Sequence, residues 1–168
     1  MLKAHRNQAV SSVKCKIVTV SDTRTKQTDK SGQLIEQLLE ENGHQVVDYV
    51  IVLDEPNEIK QQIQHSEKVD VIITNGGTGI SKRDVTIETI EPLYEKELTG
   101  FGEIFRMKSY LEDIGSAAIL SRASAGIVDG KAVFSIPGST GAVKLALESL
   151  ILLELGHIVG ELRKDGQQ

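Results

Sequence analysis

The sequence predicts an α/β protein, a three-layer α/β/α sandwich with a mixed, mostly parallel sheet. Three observations lead there. Short β-branched apolar runs alternate with helical segments along the chain, as crossover-connected parallel strands require. Those runs are apolar along their length, the pattern of strands covered on both faces. Late in the chain, Asp129-Gly130 separates two apolar runs. That pair is a strong two-residue turn signal, so at least one strand must be antiparallel.

The elements follow in order. Lys14–Val20 (KCKIVTV) reads as a buried strand. Asp29-Lys30-Ser31-Gly32 opens a helix whose Leu34, Ile35, Leu38 and Leu39 recur at helical spacing, and Gly43 is a suitable stop. A second strand spans 46–53, and Pro56 then starts a helix anchored by Ile59 and Ile63. The third strand is 69–74. Helices are expected over 86–98, interrupted near Pro92, and over 101–111, while 117–121 is apolar but fits either state. The hairpin strands are 125–128 and 132–136, and a long helix over about 140–153 carries Val143, Leu145, Ala146, Leu147 and Leu150.

Bulk properties narrow the function. At 168 residues, with 39% hydrophobic and 26% charged residues, the chain is expected to be one domain over 1–168, with 1–13 as a flexible tail. The formal net charge of −5 offers no basic field for nucleic acid. Cys15 is the one cysteine, which excludes an intrachain disulfide and suits a reducing compartment. The first residues lack the apolar core of a secretory signal, and the apolar run 150–153 is far too short for a bilayer. The expectation is a cytoplasmic protein without membrane contact. The four histidines are scattered without metal-ligand spacing, and Ser135 and Ser139 lack a GxSxG context.

Ligands in such folds sit beyond the C-terminal ends of the parallel strands. Ser21 and Asp22 leave the first strand there and Asp54-Glu55 the second. Asn75-Gly76-Gly77-Thr78-Gly79 leaves the third, and Pro137-Gly138-Ser139 follows the last hairpin strand. Glycines let successive amides converge on an anion. Thr78 adds a hydroxyl, and Lys82 and Arg83 add cationic donors for phosphate. Asp54 and Asp84 both follow strands, so they can meet in one cleft and hold Mg²⁺ against phosphate. Each element also has a plain structural use: GGTG as a tight turn, Asp54 as a turn residue before Pro56, Asp84 as a cap near Thr86, Ser139 as an N-cap. Their convergence favours a site for a phosphorylated, metal-bound ligand.

Six segments in register extend this reading over nearly the whole chain: VTVSDT (18–23), DKSG (29–32), DEP (54–56), NGGTG with RDVT (75–79, 83–86), GFGEIFR (100–106) and LSRASAGIVDGKAVFSIPGS (120–139). In these the chain resembles the MogA/MoaB family of molybdenum-cofactor biosynthesis, related to the gephyrin G domain, and it is closer to the MoaB branch. The resemblance implies a nucleotidyltransferase that binds molybdopterin and Mg-ATP, transfers adenylyl to the terminal phosphate and releases pyrophosphate. It places the functional aspartates at Asp54 and Asp84, the nucleotide loop at 76–79, and binding residues in the 137–139 turn. It also implies a homotrimer or homohexamer, with other enzymes of the pathway as partners. A non-catalytic molybdopterin carrier remains the alternative.

Overall fold

The computed structural model describes residues 9–164 and 166. Strand β1 (Lys14–Val20) leads through helix α1 (Lys30–Glu41) to β2 (Gln45–Val52). Helix α2 (Pro56–Gln64) then returns the chain to β3 (Val71–Asn75). A short α3 (Thr86–Ile90), the 3₁₀ turn Glu91–Leu93 and a two-residue strand β4 (Lys96–Glu97) follow. Helix α4 (Thr99–Glu112) and the 3₁₀ turn Gly115–Leu120 lead into the hairpin β5 (Ser124–Val128) and β6 (Lys131–Ile136). The chain closes with α5 (Thr140–Ala146), a π-turn (Leu147–Ile151) and α6 (Leu152–Lys164).

The sheet order is β2-β1-β3-β6-β5-β4. The pairs β1–β2, β1–β3 and β3–β6 are parallel, and β5 pairs antiparallel with both β6 and β4. Successive side chains on a strand face opposite sides, so each central strand feeds two cores. Ile17, Ile73 and Phe134 pack under α1, α4 and the α5–α6 helix. Val18, Ile72 and Val133 pack under α2 and α3 with Ile59, Ile63 and Ile90. The mixed sheet between two helical layers is the expected sandwich.

Local chemistry explains the boundaries. Asp29 caps α1 by accepting from Gly32 N–H at 3.1 Å, and Ser139 caps α5 by accepting from Ala142 N–H at 3.1 Å. Asp129, at φ +48°, opens the hairpin turn as the Asp-Gly pair predicted. The expected helix over 86–98 ends early. Pro92 has no N–H to continue the α pattern, so the chain tightens to 3₁₀ and then pairs as β4. The undecided stretch 117–121 falls on the 3₁₀ turn Gly115–Leu120. The helix expected to stop near 153 runs to Lys164 through the π-turn, and Leu155 and Val159 carry its buried face onward.

The expected tail falls partly on residues 1–8, outside the described residues. Beyond them Val13 is fully buried and Val10 N–H donates to the Gly156 carbonyl at 3.0 Å. Among the described residues, no helix is long and apolar enough to cross a membrane.

Candidate functional site

The crossovers of β1 and β3 leave a crevice at the C-terminal edge of the parallel strands. There the strand-end segments enclose a cleft of about 610 Å³. The loop after β1 supplies Ser21, Asp22, Thr23 and Arg24; the loop after β2 supplies Asp54. The glycine loop supplies Gly76, Gly77, Thr78 and Gly79, followed by Asp84, and the turn after β6 supplies Pro137, Gly138 and Ser139. A wall that the sequence did not suggest, Ile114, Ala117, Leu120 and Ser121, closes the far side.

The glycine loop is built into the sheet edge. Gly76 N–H donates to the Ile136 carbonyl at 3.0 Å, at φ +99°. A Cβ there would lie 2.3 Å from the Val20 carbonyl oxygen, so only glycine fits. Gly77, at φ +68°, lies over Thr86, whose hydroxyl donates to the Gly76 carbonyl at 2.9 Å. Asp84 does not cap α3. Its Oδ2 accepts from Ser81 N–H (2.9 Å) and Ser81 O–H (2.6 Å), closing the turn after the glycines.

Two expected binding residues do not line the cleft. Asn75 is fully buried beneath the loop, where Nδ2 donates to Thr19 Oγ1 (2.8 Å) and Oδ1 accepts from Ser31 (2.7 Å). Its amide joins β3 to β1 and to the start of α1. Arg83 is held at the rim by carboxylates: Asp22 accepts from Nε and Nη2, both at 2.9 Å, and Glu55 accepts from Nη1 at 2.9 Å. Asp22 Oδ1 also accepts from Asp54 N–H at 3.1 Å, so one carboxylate aligns the loops after β1 and β2 and the residue Arg83.

Arg24 is the cation that reaches into the cleft instead. Its Nη2 donates to the Gly138 carbonyl (2.7 Å), and its Nη1 to Ser31 (2.6 Å) and Asp29 (3.3 Å). Asp29 is fully buried, and Thr19 and Tyr49 hydroxyls donate to its Oδ2, each at 2.6 Å. Burial pushes the Asp29 carboxyl up, but the hydrogen bonds from Thr19, Tyr49, Gly32 and Ser31 outweigh it and hold the carboxyl below its ordinary range.

The charged residues lining the cleft are three carboxylates, Asp22, Asp54 and Asp84, and one guanidinium, Arg24. Partial burial, then the charge of Asp22, raises the Asp54 carboxyl above its usual range despite Arg83, and Asp84 adds to the rise. Asp22 itself is held low by the hydrogen bonds from Arg83 and Asp54. Among the described residues, no group of three or more His, Cys, Asp or Glu is placed to hold a metal alone. Asp54 and Asp84 nevertheless both line the cleft, and two hard carboxylates fit Mg²⁺, which takes a few protein oxygens and completes its shell with other oxygen ligands and water.

Residues 16–157 match the family model described as a probable molybdopterin binding domain. The chain belongs to this family. It is 60% identical over 163 residues to molybdenum cofactor biosynthesis protein B of Bacillus cereus, covering 95% of this chain and 96% of that one. A solved structure of a molybdenum cofactor biosynthesis protein B superposes with a TM-score of 0.88 at 61% identity, over 91% of this chain and 97% of the other. A MogA structure superposes with a TM-score of 0.80 at 30% identity, over 89% and 99% of the two chains. This member of the molybdopterin-binding family therefore carries the fold and the MoaB-side resemblance that its motifs implied. Sequence reasoning missed Arg24 and the 114–121 wall, along with Val20 and Thr23, among the cleft residues. Arg24 lies five residues ahead of the DKSG segment, which was the available signal.

Proposed function

We propose that the protein binds molybdopterin and Mg-ATP in this cleft and transfers adenylyl to the terminal phosphate of molybdopterin. A phosphate oxygen of molybdopterin attacks the α-phosphorus of ATP. The new P–O bond forms as the bond to the β-phosphate bridging oxygen breaks, and pyrophosphate leaves with the electron pair. The nucleophile is already anionic, so no strong general base is required. What must be overcome is repulsion between two anions, which the site meets by orientation and electrostatics.

The convergence of the glycine loop, Asp54, Asp84 and the 137–139 turn on one cleft carries this reading. The amides of 77–79 would face the nucleotide phosphates, while the Gly76 amide is committed to the Ile136 carbonyl and Arg24 holds the 137–139 turn in place. Asp54 and Asp84 would hold Mg²⁺, which when bound neutralises phosphate charge. With three carboxylates in the lining, phosphate binding depends on that cation. The family match and the relatives in molybdenum-cofactor biosynthesis support molybdopterin as the acceptor.

Incubation with molybdopterin, ATP and Mg²⁺ should yield adenylylated molybdopterin and pyrophosphate, and Asp84→Asn should abolish both while keeping the wild-type melting curve. Unchanged turnover in that variant would remove Asp84 from the chemistry. A carrier reading has one observation in its favour: Arg83, a strong phosphate donor, is occupied by Asp22 and Glu55. Calorimetric binding of molybdopterin with no consumption of ATP would establish the carrier. The exposed apolar side chains Ile104, Met107 and Leu111 on α4 and Leu153 on α6 support the homo-oligomer, a trimer or hexamer. Light scattering at micromolar concentration tests it. Phe105, by contrast, is buried in the core, and Phe101 packs edge-on against Phe134 at 5.1 Å.

A further inference from the structure

Residues 79–84 form the rim loop that carries Asp84, and much of it is exposed; Ile80 is 70% accessible. Its internal bonds are local. Asp84 N–H donates to the Ser81 carbonyl at 3.1 Å, and the Ser81 amide and hydroxyl return to the Asp84 carboxylate. Such a turn fixes its own shape without fixing its position on the sheet. Arg83 ties it to the loops after β1 and β2, and Arg122 ties it to the opposite side of the cleft. From the segment that follows the 3₁₀ turn Gly115–Leu120, its Nε (2.9 Å) and Nη2 (2.6 Å) both donate to the Gly79 carbonyl. Nη2 also reaches the Asp84 carbonyl at 3.2 Å. The same guanidinium is aimed by Glu88 of α3, whose carboxylate accepts from Nη1 and Nη2. One planar group therefore spans both ends of the loop and ties them to the far wall of the cleft.

We propose that Arg122 is a positioning residue that sets the spacing between the glycine loop and the Asp84 carboxylate, acting on metal–nucleotide binding through Asp84. The inference rests on the cleft being a Mg-ATP site. A lysine would keep the charge but lose the fork that engages two carbonyls and a carboxylate together. A residue that orients a metal ligand typically changes metal affinity by about tenfold or more when replaced.

The test uses the full chain with Mn²⁺ and ATP, without molybdopterin, and follows bound Mn²⁺ by electron paramagnetic resonance. Arg122→Lys should weaken Mn²⁺ binding in the presence of ATP by about tenfold. Amide hydrogen exchange should accelerate across 79–84 and stay unchanged in β1, β3 and β6. Asp84→Asn combined with Arg122→Lys should bind Mn²⁺ no more weakly than Asp84→Asn alone, because the arginine acts through that aspartate. Wild-type Mn²⁺ affinity in Arg122→Lys, additive losses in the double variant, or faster exchange throughout the sheet would each overturn the assignment. So would a wild-type protein that binds no Mn²⁺ with ATP. A wild-type protein that binds the pair but forms no adenylylated product would overturn the transferase reading and leave the Arg122 result intact.

Discussion

Gly77→Ala tests whether the glycine loop needs its backbone conformation and its contact with Thr86. At φ +68° a non-glycine residue costs about 1–2 kcal/mol. A Cβ at Gly77 would lie 2.1 Å from Thr86 Oγ1, 3.2 Å from Thr86 Cβ and 3.3 Å from Asp54 Oδ1. Thr86 escapes the first clash by rotating, which breaks its hydrogen bond to the Gly76 carbonyl and costs about 1 kcal/mol. The remaining overpacking adds about 1 kcal/mol. The total is about 3–4 kcal/mol, which for a chain of this size lowers the melting temperature by roughly 10 °C. Differential scanning calorimetry reads the shift directly. In a Thr86→Ala background the hydroxyl clash and its hydrogen bond are gone, so the same glycine substitution should cost about 2 kcal/mol, chiefly the φ term. A Gly77→Ala protein that melts within about 2 °C of wild type, or loses the same amount in both backgrounds, refutes the reasoning.

Three other outcomes are expected. Asp29→Asn removes a fully buried charge shared by Arg24, Thr19, Tyr49, Ser31 and Gly32, and should destabilise by about 3 kcal/mol in urea unfolding. Because the Asp29 carboxyl is held low in the fold, its contribution is present above the ordinary carboxylate range and is lost as pH falls through the depressed value. Acid titration of stability should therefore be flatter in the Asn variant. Burial, with a smaller push from Asp70, raises the Cys15 thiol to about 12, so a thiol-reactive disulfide reagent at mildly alkaline pH should modify it only after denaturation; modification at the rate of a free thiol would contradict the buried placement. Chelation of divalent cations by EDTA should remove ATP binding in calorimetry without changing the melting curve of the ligand-free protein, and ATP binding that persists would show that the amides and Arg24 suffice.

The sequence made visible what depends on local rules. The apolar runs, the Asp29 and Ser139 caps, Pro56 and the Asp129-Gly130 turn each act within a few residues, and each stands where it was expected. The glycine loop and Asp54 were legible because strand ends on a parallel sheet must share an edge. Strand β4 was not legible. Lys96 and Glu97 are exposed and too few to show a period, and they become a strand only because β5 offers an edge to pair with. Helix α6 was cut short because the π-turn interrupts the helical repeat on which its length was judged. In the site, Arg24, for which no role was expected, takes the place expected of Arg83. Both lie in polar stretches, and which one enters the cleft is decided by their carboxylate partners: Asp22 and Glu55, 61 and 28 residues away, hold Arg83 at the rim, and Asp29, five residues away, turns Arg24 inward. Asn75 looked like a ligand donor because it precedes the glycines, but its side chain follows the strand's inward alternation.

The hydrogen bond from Arg24 to Gly138 joins positions 114 residues apart, and the pairs of Arg83 with Asp22 and of Arg122 with Gly79 span 61 and 43 residues. The cleft therefore belongs to no fragment of the chain. Closing such long loops costs entropy before any contact repays it, so the site is completed only when the central strands have assembled. During synthesis the loop after β1 emerges well before the turn that Arg24 must hold. Ligand affinity is then a property of the finished molecule. A ligand bound here favours the folded state by mass action, drawing together the early and late segments of the chain.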